Sequence, residues 1–423
     1  AFGSVARFSC RVRGKMLLNG YHFHLKEATM LSAVQIKPDV YWVGALDWNA
    51  REFHGYTTEA GITYNAYLIL DEKVTLIDTA KITFKDELLQ RISSVIDPSK
   101  IDVLIANHVE MDHSGNTPTI KRLAPNCQIY CSAPQGVKNM TAHFGDLGYN
   151  GVKTGDTLCI GKRTLAFVQT PMVHWPDNMV TYDAYDKILF SNDAFGQHFA
   201  SSARFDDEND MCEVMHQARK YYANIVQPYR AQATAAVKAV RGLGPDALDM
   251  ICPAHGVIWR SHVEDILAAY EGFVSGEVQE RALVVYDSMW HSTEKIARAL
   301  VDGFLAAGVP AQLMDLKENH ISNVMDVFLD CKYVCVGSPT LNSQMLPTVA
   351  GFLTYMKGLS PKNENRVGLA FGSYGWAPAG PNNVAKELEA AGFQMPVKTL
   401  AVNWIPSEEQ LAAAKDAVKE LVA

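Results

Sequence analysis

The chain has 423 residues and about 48% hydrophobic content, which exceeds what one core usually fills, so two domains are expected. Its formal net charge of −8 argues against a partner with a phosphate backbone, and we expect no nucleic acid. The sequence contains no apolar run of about eighteen residues, which predicts no transmembrane helix and no membrane partner.

The first sixteen residues are basic, with Arg7, Arg11, Arg13 and Lys15 and no acid, and they do not start with Met. This composition is typical of an organellar presequence remnant, although a remnant of cloning would explain it equally well. We therefore predict an N-terminal extension over residues 1–30. The expected location is cytoplasmic, or an organelle matrix if the extension derives from a presequence.

The eight cysteines form no CxxC pair, which excludes zinc-ribbon and rubredoxin-type iron sites. Their usage is typical of a reducing compartment. The pairs Cys127/Cys131 and Cys331/Cys335 flank short apolar runs. We interpret these four as buried core thiols without a chemical role.

Residues 31–275 are predicted to form the first domain. Short runs rich in Val, Ile, Thr and Tyr between residues 40 and 79 indicate antiparallel strands with tight turns. A helical pattern follows over residues 85–96 and stops at Asp97-Pro98, before the buried strand IDVLIA (101–106). Later strands alternate with helices such as residues 211–226, which indicates sheets covered by helices.

A polar, glycine-containing segment at residues 271–281 marks the expected boundary, and residues 280–423 form the second predicted domain. Its strands RALVVYDS, KYVCVGSPT and RVGLAFGSYGW alternate with amphipathic helices. This alternation indicates a parallel, doubly wound sheet. Ser407 and Gln410 predict a capping box at the start of the last helix.

Four side chains of the metal-ligating type follow the strand IDVLIA within six residues: His108, Glu110, Asp112 and His113. A lone histidine is more often an ordinary structural residue. Three more such residues stand at the exits of other predicted strands, and these are His174, Asp193 and His255. The recurrence at strand exits favours one metal site.

Three loops of the second domain suggest a mononucleotide site. DSMWHST (287–293) places hydroxyls and free N–H groups at a helix N-terminus, which suits a phosphate group, although Ser and Thr also cap helices for structural reasons. GSPTLNSQ (337–344) and GSYGWAPAG (372–380) follow two later strands, where a doubly wound sheet opens its crevice. The sequence has neither GxGxxG nor GxxxxGK[ST], so dinucleotide and P-loop sites are excluded.

The ligand set resembles that of the metallo-β-lactamase superfamily, whose binuclear sites have a HxHxDH loop followed by His, Asp and His. Here Glu110 takes the second position, which hardens the site and favours non-haem iron over zinc. With the flavodoxin-like second domain, the chain is similar to the flavodiiron protein family over residues 35–423. The resemblance implies an αββα sandwich of the metallo-β-lactamase type followed by a flavodoxin-like doubly wound parallel sheet.

The same resemblance assigns the cofactors, which are two irons and FMN. One iron would take His108, Glu110 and His174, the other would take Asp112, His113 and His255, and Asp193 would bridge them; ligation by His113 is the least secure. The FMN phosphate would lie at Ser288, Met289, Ser292 and Thr293. The flavin ring would lie among Pro339, Thr340, Leu341, Asn342, Ser373, Tyr374, Gly375 and Trp376.

Around the metals, Trp175, Phe195 and Phe199 are candidates for an apolar pocket wall, and His198 is a candidate proton donor. For each of these four, an ordinary structural role explains the residue at least as well.

The implied reaction is reduction of O2 to water, of NO to N2O, or of both, and the ligands leave this choice open. The resemblance also implies a head-to-tail homodimer or tetramer. The sequence stops shortly after the second domain, so we expect a separate electron donor, a rubredoxin-like protein or another reductase. Two rivals remain: a binuclear zinc hydrolase with an attached flavodoxin domain, and an electron carrier without a catalytic metal site.

Overall fold

The structure is a computed structural model that describes residues 31–244 and 246–423. The predicted extension over residues 1–30 lies outside the described residues. In the described ranges, no helix combines the length and apolar character that crossing a bilayer requires.

The first part of the chain contains two large sheets and two small two-stranded ones. Its strands are β1 (Val34–Lys37), β2 (Val40–Trp42), β3 (Ala45–Asp47), β4 (Glu52–Phe53), β5 (Tyr56–Thr57), β6 (Ile62–Tyr64), β7 (Tyr67–Ile69), β8 (Thr75–Ile77), β9 (Val103–Ala106), β10 (Gln128–Ser132), β11 (Tyr149–Val152), β12 (Thr157–Cys159), β13 (Thr164–Gln169), β14 (Met179–Asp183), β15 (Ile188–Asn192) and β16 (Met250–Pro253). Its helices are α1 (Lys85–Ser93), α2 (Met111–Ser114), α3 (Thr117–Leu123), α4 (Gln135–Phe144), α5 (Met211–Tyr221), α6 (Arg230–Arg241) and α7 (Val263–Ser275).

The two sheets pack face to face. The larger sheet has seven strands in the order β1-β2-β7-β8-β9-β10-β11, and the smaller has five in the order β12-β13-β14-β15-β16. Side chains of both, such as Trp42, Phe167 and Phe190, form one buried core between them. Helices α1, α3 and α4 cover the outer face of the larger sheet, and α5, α6 and α7 cover that of the smaller one. The predicted αββα sandwich is confirmed.

The second part contains a five-stranded sheet in the order β18-β17-β19-β20-β21, and all its pairings are parallel. This is the flavodoxin-type strand order, which confirms the prediction. The strands are β17 (Gln279–Tyr286), β18 (Ala311–Asp315), β19 (Cys331–Gly337), β20 (Val367–Tyr374) and β21 (Leu400–Asn403). The helices are α8 (Ser292–Ala306), α9 (Ile321–Phe328), α10 (Pro347–Leu359), α11 (Ala379–Ala390) and α12 (Glu408–Val422).

Local sequence signals explain how several elements begin and end. Ser407 and Gln410 cap α12 reciprocally, as predicted. Helix α7 ends at Ser275, and Gly276 follows in the left-handed conformation that glycine adopts readily. Strand β17 begins at Gln279, so the chain passes from one sheet system to the other within the predicted boundary segment. The domain limits 31–275 and 280–423 stay a prediction.

One helix is irregular. After α5, the chain forms a single π-turn at Tyr222–Val226 and a short 3-10 turn at Gln227–Tyr229 before α6 begins. π-turns inside helices occur frequently at functional sites. This one lies where the first domain contacts α9 and α10 of the second.

Candidate active site

The metal-type residues form two groups at one edge of the sandwich. The first group contains His108, Glu110 and His174. Oε2 of Glu110 lies 3.3 Å from Nε2 of His108 and 3.1 Å from Nε2 of His174. His108 and Glu110 stand in the loop after β9, and His174 stands in the loop after β13, so sheet geometry brings them together.

The second group contains Asp112, His113 and His255. Asp112 and His113 lie on the short helix α2, and His255 follows β16. One oxygen of Asp112 lies 3.4 Å from Nε2 of His113, and the other lies 3.2 Å from Nε2 of His255. In each group, the potential ligand atoms lie within 4.8 Å of one another, which is close enough to surround one ion.

Asp193 lies between the two groups and divides its oxygens between them. Its Oδ2 is 3.6 Å from Nε2 of His108 and 3.7 Å from Nε2 of His174. Its Oδ1 is 3.2 Å from Nε2 of His113 and 3.6 Å from Nε2 of His255. A carboxylate in this position can bridge two metal ions.

Several buried atoms of the second group have no hydrogen-bond partner. These are both carboxylate oxygens of Asp112 and both ring nitrogens of His113. Asp112 and His113 are 4% and 1% exposed, so water does not compensate them. Buried polar atoms without partners are costly, and a bound cation would satisfy them. The donor set of imidazoles and carboxylates therefore fits a pair of iron ions.

The pKa shifts of Glu110 and Asp193 also favour a bound cation. Burial alone would raise the pKa of Glu110, but hydrogen bonds from His108, His174 and His54 outweigh it and hold that pKa below its usual range. Burial likewise opposes ionisation of Asp193, and the neighbouring histidines lower its pKa. The carboxylates therefore keep their negative charge in a buried place, which favours a cation.

Neighbouring groups orient the potential ligands. Nδ1 of His255 donates to the backbone oxygen of Thr63 at 2.6 Å, which leaves its Nε2 free to face the site. The hydroxyl of Tyr221 donates to Oδ1 of Asp193 at 3.0 Å, and the amide of Asn178 donates to Oδ2 at 3.3 Å. Such outer partners fix ligand geometry in metal sites.

A pocket of about 380 Å³ opens over the two groups. Trp175 lines it, as predicted, whereas Phe195 and Phe199 pack in the hydrophobic core under α5 and α7. The expectation that these two phenylalanines form the wall is wrong. The walls come instead from residues of three other segments, namely Phe53, His54, Tyr56, Tyr221, Asn224, Ile225, Pro228, Tyr229, Tyr355 and Leu359.

His54 was not identified from the sequence. It stands at the turn between β4 and β5, and its Nε2 bonds Oε1 of Glu110 at 2.5 Å. The sequence offers one weak signal, the pair His54-Gly55, which favours a tight turn. In the structure, both residues have positive φ angles. Nothing local in the sequence indicates that this turn reaches Glu110.

His198 is fully buried, and the hydroxyl of Tyr56 lies 2.8 Å from its Nδ1. Burial lowers the pKa of His198 well below its ordinary value. The imidazole is therefore neutral at physiological pH. The role of His198 as a proton donor stays a prediction, and it would run through the neutral ring and its bond to Tyr56.

A second cleft, of about 520 Å³, lies at the carboxyl ends of the parallel strands. Most residues predicted to contact FMN line it: Met289, Ser292, Pro339, Thr340, Leu341, Asn342, Ser373, Tyr374, Gly375 and Trp376. Ser288 and Thr293 are buried instead, and Thr293 shares a hydrogen bond with Ser373.

The N-terminus of α8 faces this cleft through Ser292. No side chain caps that helix, so its first N–H groups have no side-chain acceptor. The structural explanation for the Ser and Thr residues of this loop, that they cap the helix, is therefore not supported. An uncapped helix N-terminus in a cleft with aromatic walls fits a phosphate attached to a flat ring.

The sequence interpretation missed a fourth loop of this cleft. Trp404 and Ile405 follow β21 and line the cleft with Trp290, Ser343 and Ala377. The available signal was positional, because Trp404 stands at a strand exit like the three loops that were identified. Its ring packs against Gly375, where a Cβ atom would lie 2.8 Å from the indole.

Comparisons with known proteins cover both parts of the chain. Residues 62–256 match the family described as ODP family beta lactamase, and residues 284–417 match the flavodoxin family. A nitric oxide reductase from Moorella thermoacetica is 41% identical over 399 residues, which cover 93% of this chain and 99% of that protein.

Two solved structures are similar along nearly the whole chain. Rubredoxin oxygen:oxidoreductase from Desulfovibrio gigas has a TM-score of 0.89 and 42% identity, and the match covers 92% of this chain and 98% of that one. The flavodiiron protein from Giardia intestinalis has a TM-score of 0.86 and 35% identity, with coverage of 92% and 96%.

Proposed function

Because this chain belongs to the flavodiiron protein family, we propose that it reduces dioxygen to water, nitric oxide to nitrous oxide, or both, at a di-iron site supplied with electrons through FMN. One observation carries the proposal: Asp193 directs one oxygen to each of two adjacent groups of metal-type side chains. The chain is an oxidoreductase of this family, and the family assignment argues against the zinc hydrolase.

In the proposed site, His108, Glu110 and His174 hold one iron, and Asp112, His113 and His255 hold the other. Asp193 bridges the pair. The unpaired ring nitrogens of His113, one of them 3.2 Å from Asp193, support its inclusion. The pair of ferrous ions supplies electrons and the coordination positions for a diatomic molecule.

The protein residues position and shield this site. Tyr221 holds the bridging carboxylate by its hydroxyl hydrogen bond, and His54 occupies the second oxygen of Glu110. Aromatic rings form much of the pocket wall, so the pocket admits small apolar molecules and limits water. The names of the relatives divide between oxygen and nitric oxide, and the proposal covers both substrates.

FMN is proposed to occupy the cleft at the carboxyl ends of the second sheet. Its phosphate would lie at the N-terminus of α8 beside Ser292, where the N–H groups and the helix dipole favour an anion. Its ring would lie between the loops that contain Leu341, Tyr374 and Trp376, together with Trp404. A flavin accepts electrons singly or in pairs and passes them on singly, so it connects a donor to the metal pair.

A second copy of the chain is proposed to bring FMN near the irons. Within one chain, α10 separates the two clefts: its N-terminal neighbour Leu346 bonds Ser338 at the flavin loop, and Tyr355 and Leu359 near its other end line the metal pocket. Its 13 residues span about 20 Å. The two clefts are therefore associated with opposite ends of this helix within one chain, and a second chain can bring the flavin of one copy next to the metal pocket of the other.

Exposed aromatic residues support a head-to-tail dimer. Trp290 and Trp376 at the rim of the flavin cleft are 87% and 86% exposed, and Trp404 is 62% exposed. An apolar rim of this kind is typical of a contact surface. In a head-to-tail dimer, the rim of one chain would cover the metal pocket of its partner, and two dimers could form a tetramer.

The proposed electron donor is a rubredoxin-like protein or another reductase. The name of the Desulfovibrio gigas relative supports the former. The seven cysteines in the described ranges form no disulfide, which agrees with the proposed cytoplasmic location.

The decisive experiment measures cofactors and turnover in the same preparation. Purified protein should contain about two irons per chain and one FMN by metal analysis and absorbance. After anaerobic reduction with one artificial donor, stopped-flow mixing with O2 and, separately, with NO should reoxidise it. Two zinc ions without iron would contradict the proposal, and so would a reduced protein that neither gas reoxidises.

A further inference from the structure

A third pocket, of about 300 Å³, lies between the two domains. The first domain contributes the π-turn and the start of α6 to its walls, and the second contributes the end of α10 and the segment 360–366 that follows it. Pro228 and Leu359 line both this pocket and the metal pocket, so the two pockets are neighbours. The volume is sufficient for a small organic molecule.

The charged residues in the wall of this pocket are all cations. They are Arg230, Lys362 and Arg366, and none of the described residues that line the pocket is acidic. None of the three forms an ion pair in the described part of the chain, and Asp330, an acid that raises the pKa of Arg366, is bonded to Arg219 instead. The pocket therefore concentrates positive charge, which favours an anionic ligand.

Arg366 is a buried cation that only backbone oxygens contact directly. It is 4% exposed, and three of its N–H groups donate to the backbone oxygens of Phe328 and Leu329, both at 2.9 Å, and of Cys331. A guanidinium has five N–H groups, so two are left without an acceptor in the described ranges. Burial lowers the pKa of Arg366 to about 10, and the positive charge of Arg230 lowers it as well. An anion beside both arginines would oppose the two effects.

Two buried polar atoms at this pocket have no hydrogen-bond partner among the residues that the structure describes. They are the hydroxyl of Tyr222 and Oε1 of Gln227. Tyr222 is fully buried, which raises the pKa of its hydroxyl, and the positive charge of Arg230 opposes this rise, so the hydroxyl lies close to that guanidinium. Buried polar atoms without partners are costly, and a ligand held beside Arg230 would satisfy the hydroxyl.

Arg230 is held in the wall by its contact with the domain boundary. It is the first residue of α6, and its guanidinium packs over Gly276, in the space that a Cβ atom would occupy. No side chain caps the N-terminus of α6, and the positive end of the helix dipole adds to the charge of the arginine there. A ligand between Arg230 and Arg366 would therefore contact both domains.

We propose that this pocket binds a small organic anion, whose carboxylate or phosphate group lies between Arg230 and Arg366. The guanidinium group matches two oxygens of such a group, and the hydroxyl of Tyr222 adds a further donor. The apolar residues in the wall, among them Phe273 and Leu329, contact the carbon atoms of the ligand. This inference goes beyond the proposed function and requires neither iron nor turnover.

Isothermal titration calorimetry of the full chain with FMN bound tests the inference, with inorganic phosphate and with succinate as separate probes at constant ionic strength. Bound FMN keeps phosphate out of the flavin cleft. At least one probe should bind saturably, with one site per chain, and the tighter probe identifies the preferred anionic group. Arg230→Gln should weaken this binding by roughly tenfold or more, because a charge-assisted hydrogen bond is lost. Arg230 is exposed, so this variant should fold.

Lys238→Gln is the matched control, because Lys238 is an exposed cation of the same helix that does not line the pocket. It should bind the anion as tightly as the wild type. Tyr222→Phe removes only an unpartnered hydroxyl, so it should fold normally and bind the anion more weakly. Equal affinity in Arg230→Gln and Lys238→Gln would overturn the inference. Absence of saturable binding, the result if a partner chain covers the pocket, would overturn it too, and neither result bears on iron content or gas turnover.

Discussion

Asp177 accepts a hydrogen bond from Nδ1 of His108 at 2.9 Å, with both side chains fully buried. The same oxygen accepts the N–H of Val109 at 2.8 Å. The bond places the proton of His108 on Nδ1 and leaves Nε2 to face Glu110 and Asp193. This carboxylate–histidine pair is the arrangement that orients imidazole ligands in metal sites.

We therefore expect Asp177→Asn to weaken iron binding by about 10–100-fold, the usual effect of losing such a partner. Iron retained after dialysis against a competing chelator measures this. Asp183→Asn is the matched control, since Asp183 is a fully buried acid of the same domain that pairs with Arg163. Equal iron retention in the two variants would show that Asp177 does not support the ligand.

Asp193→Ala should lose the metal pair and most of the turnover while FMN binding remains. The substitution removes the only side chain in the described ranges that lies between both metal-type groups. Metal analysis and flavin absorbance of the same sample check the prediction. Two irons and wild-type turnover in this variant would contradict the bridging assignment.

Ser292→Glu should lower the FMN content. The added carboxylate would repel the phosphate at the start of α8, although an acid at a helix N-terminus stabilises the helix itself by about 0.3–1 kcal/mol. Loss of flavin would therefore not result from unfolding. The neutral variant Ser292→Gln, similar in size, is the control, and it should retain more FMN than Ser292→Glu. The reverse order would argue against a phosphate there.

We expect the free energy of unfolding to depend on pH through Glu59, which lies where the two domains meet. Burial alone would raise its pKa, but hydrogen bonds from Lys220, Thr57 and Asn323 outweigh burial and lower the pKa to about 2 from an ordinary value of 4.5. A carboxyl group with a lowered folded-state pKa stabilises the fold above its unfolded-state pKa. That contribution is lost as the pH falls from 4.5 toward 2.

At neutral pH, Glu59→Gln should lower the free energy of unfolding by about 1 kcal/mol, a value reduced for solvent screening of this half-exposed carboxylate. Denaturant unfolding at several pH values measures it. The difference from the wild type should shrink as the pH falls toward 2, and it should be absent throughout for Glu389→Gln, an exposed residue of α11. A difference that persists at low pH would contradict the ionic origin.

Local patterns were sufficient to predict the sheet class of each domain and the metal-type residues. The alternation of apolar runs with helical segments indicated the sheet classes, and His108 to His113 stand out because four ligand types occupy one loop. The capping box needs only Ser407 and Gln410, which are three positions apart, so the sequence alone is enough to recognise it. Residues whose role depends on distant partners were not found, as His54 and Trp404 illustrate.

By itself, the sequence determined the fold class, the ligand types and their order at strand exits, because hydrophobic period and residue chemistry are local properties. The tertiary structure placed Asp193 between the two groups, as the family resemblance implied. Only the tertiary structure decided that Phe195 lies in the core rather than the pocket and that Trp404 lines the flavin cleft. These relations join residues far apart in the chain. They depend on how sheets, helices and domains pack, which no local period of the sequence encodes.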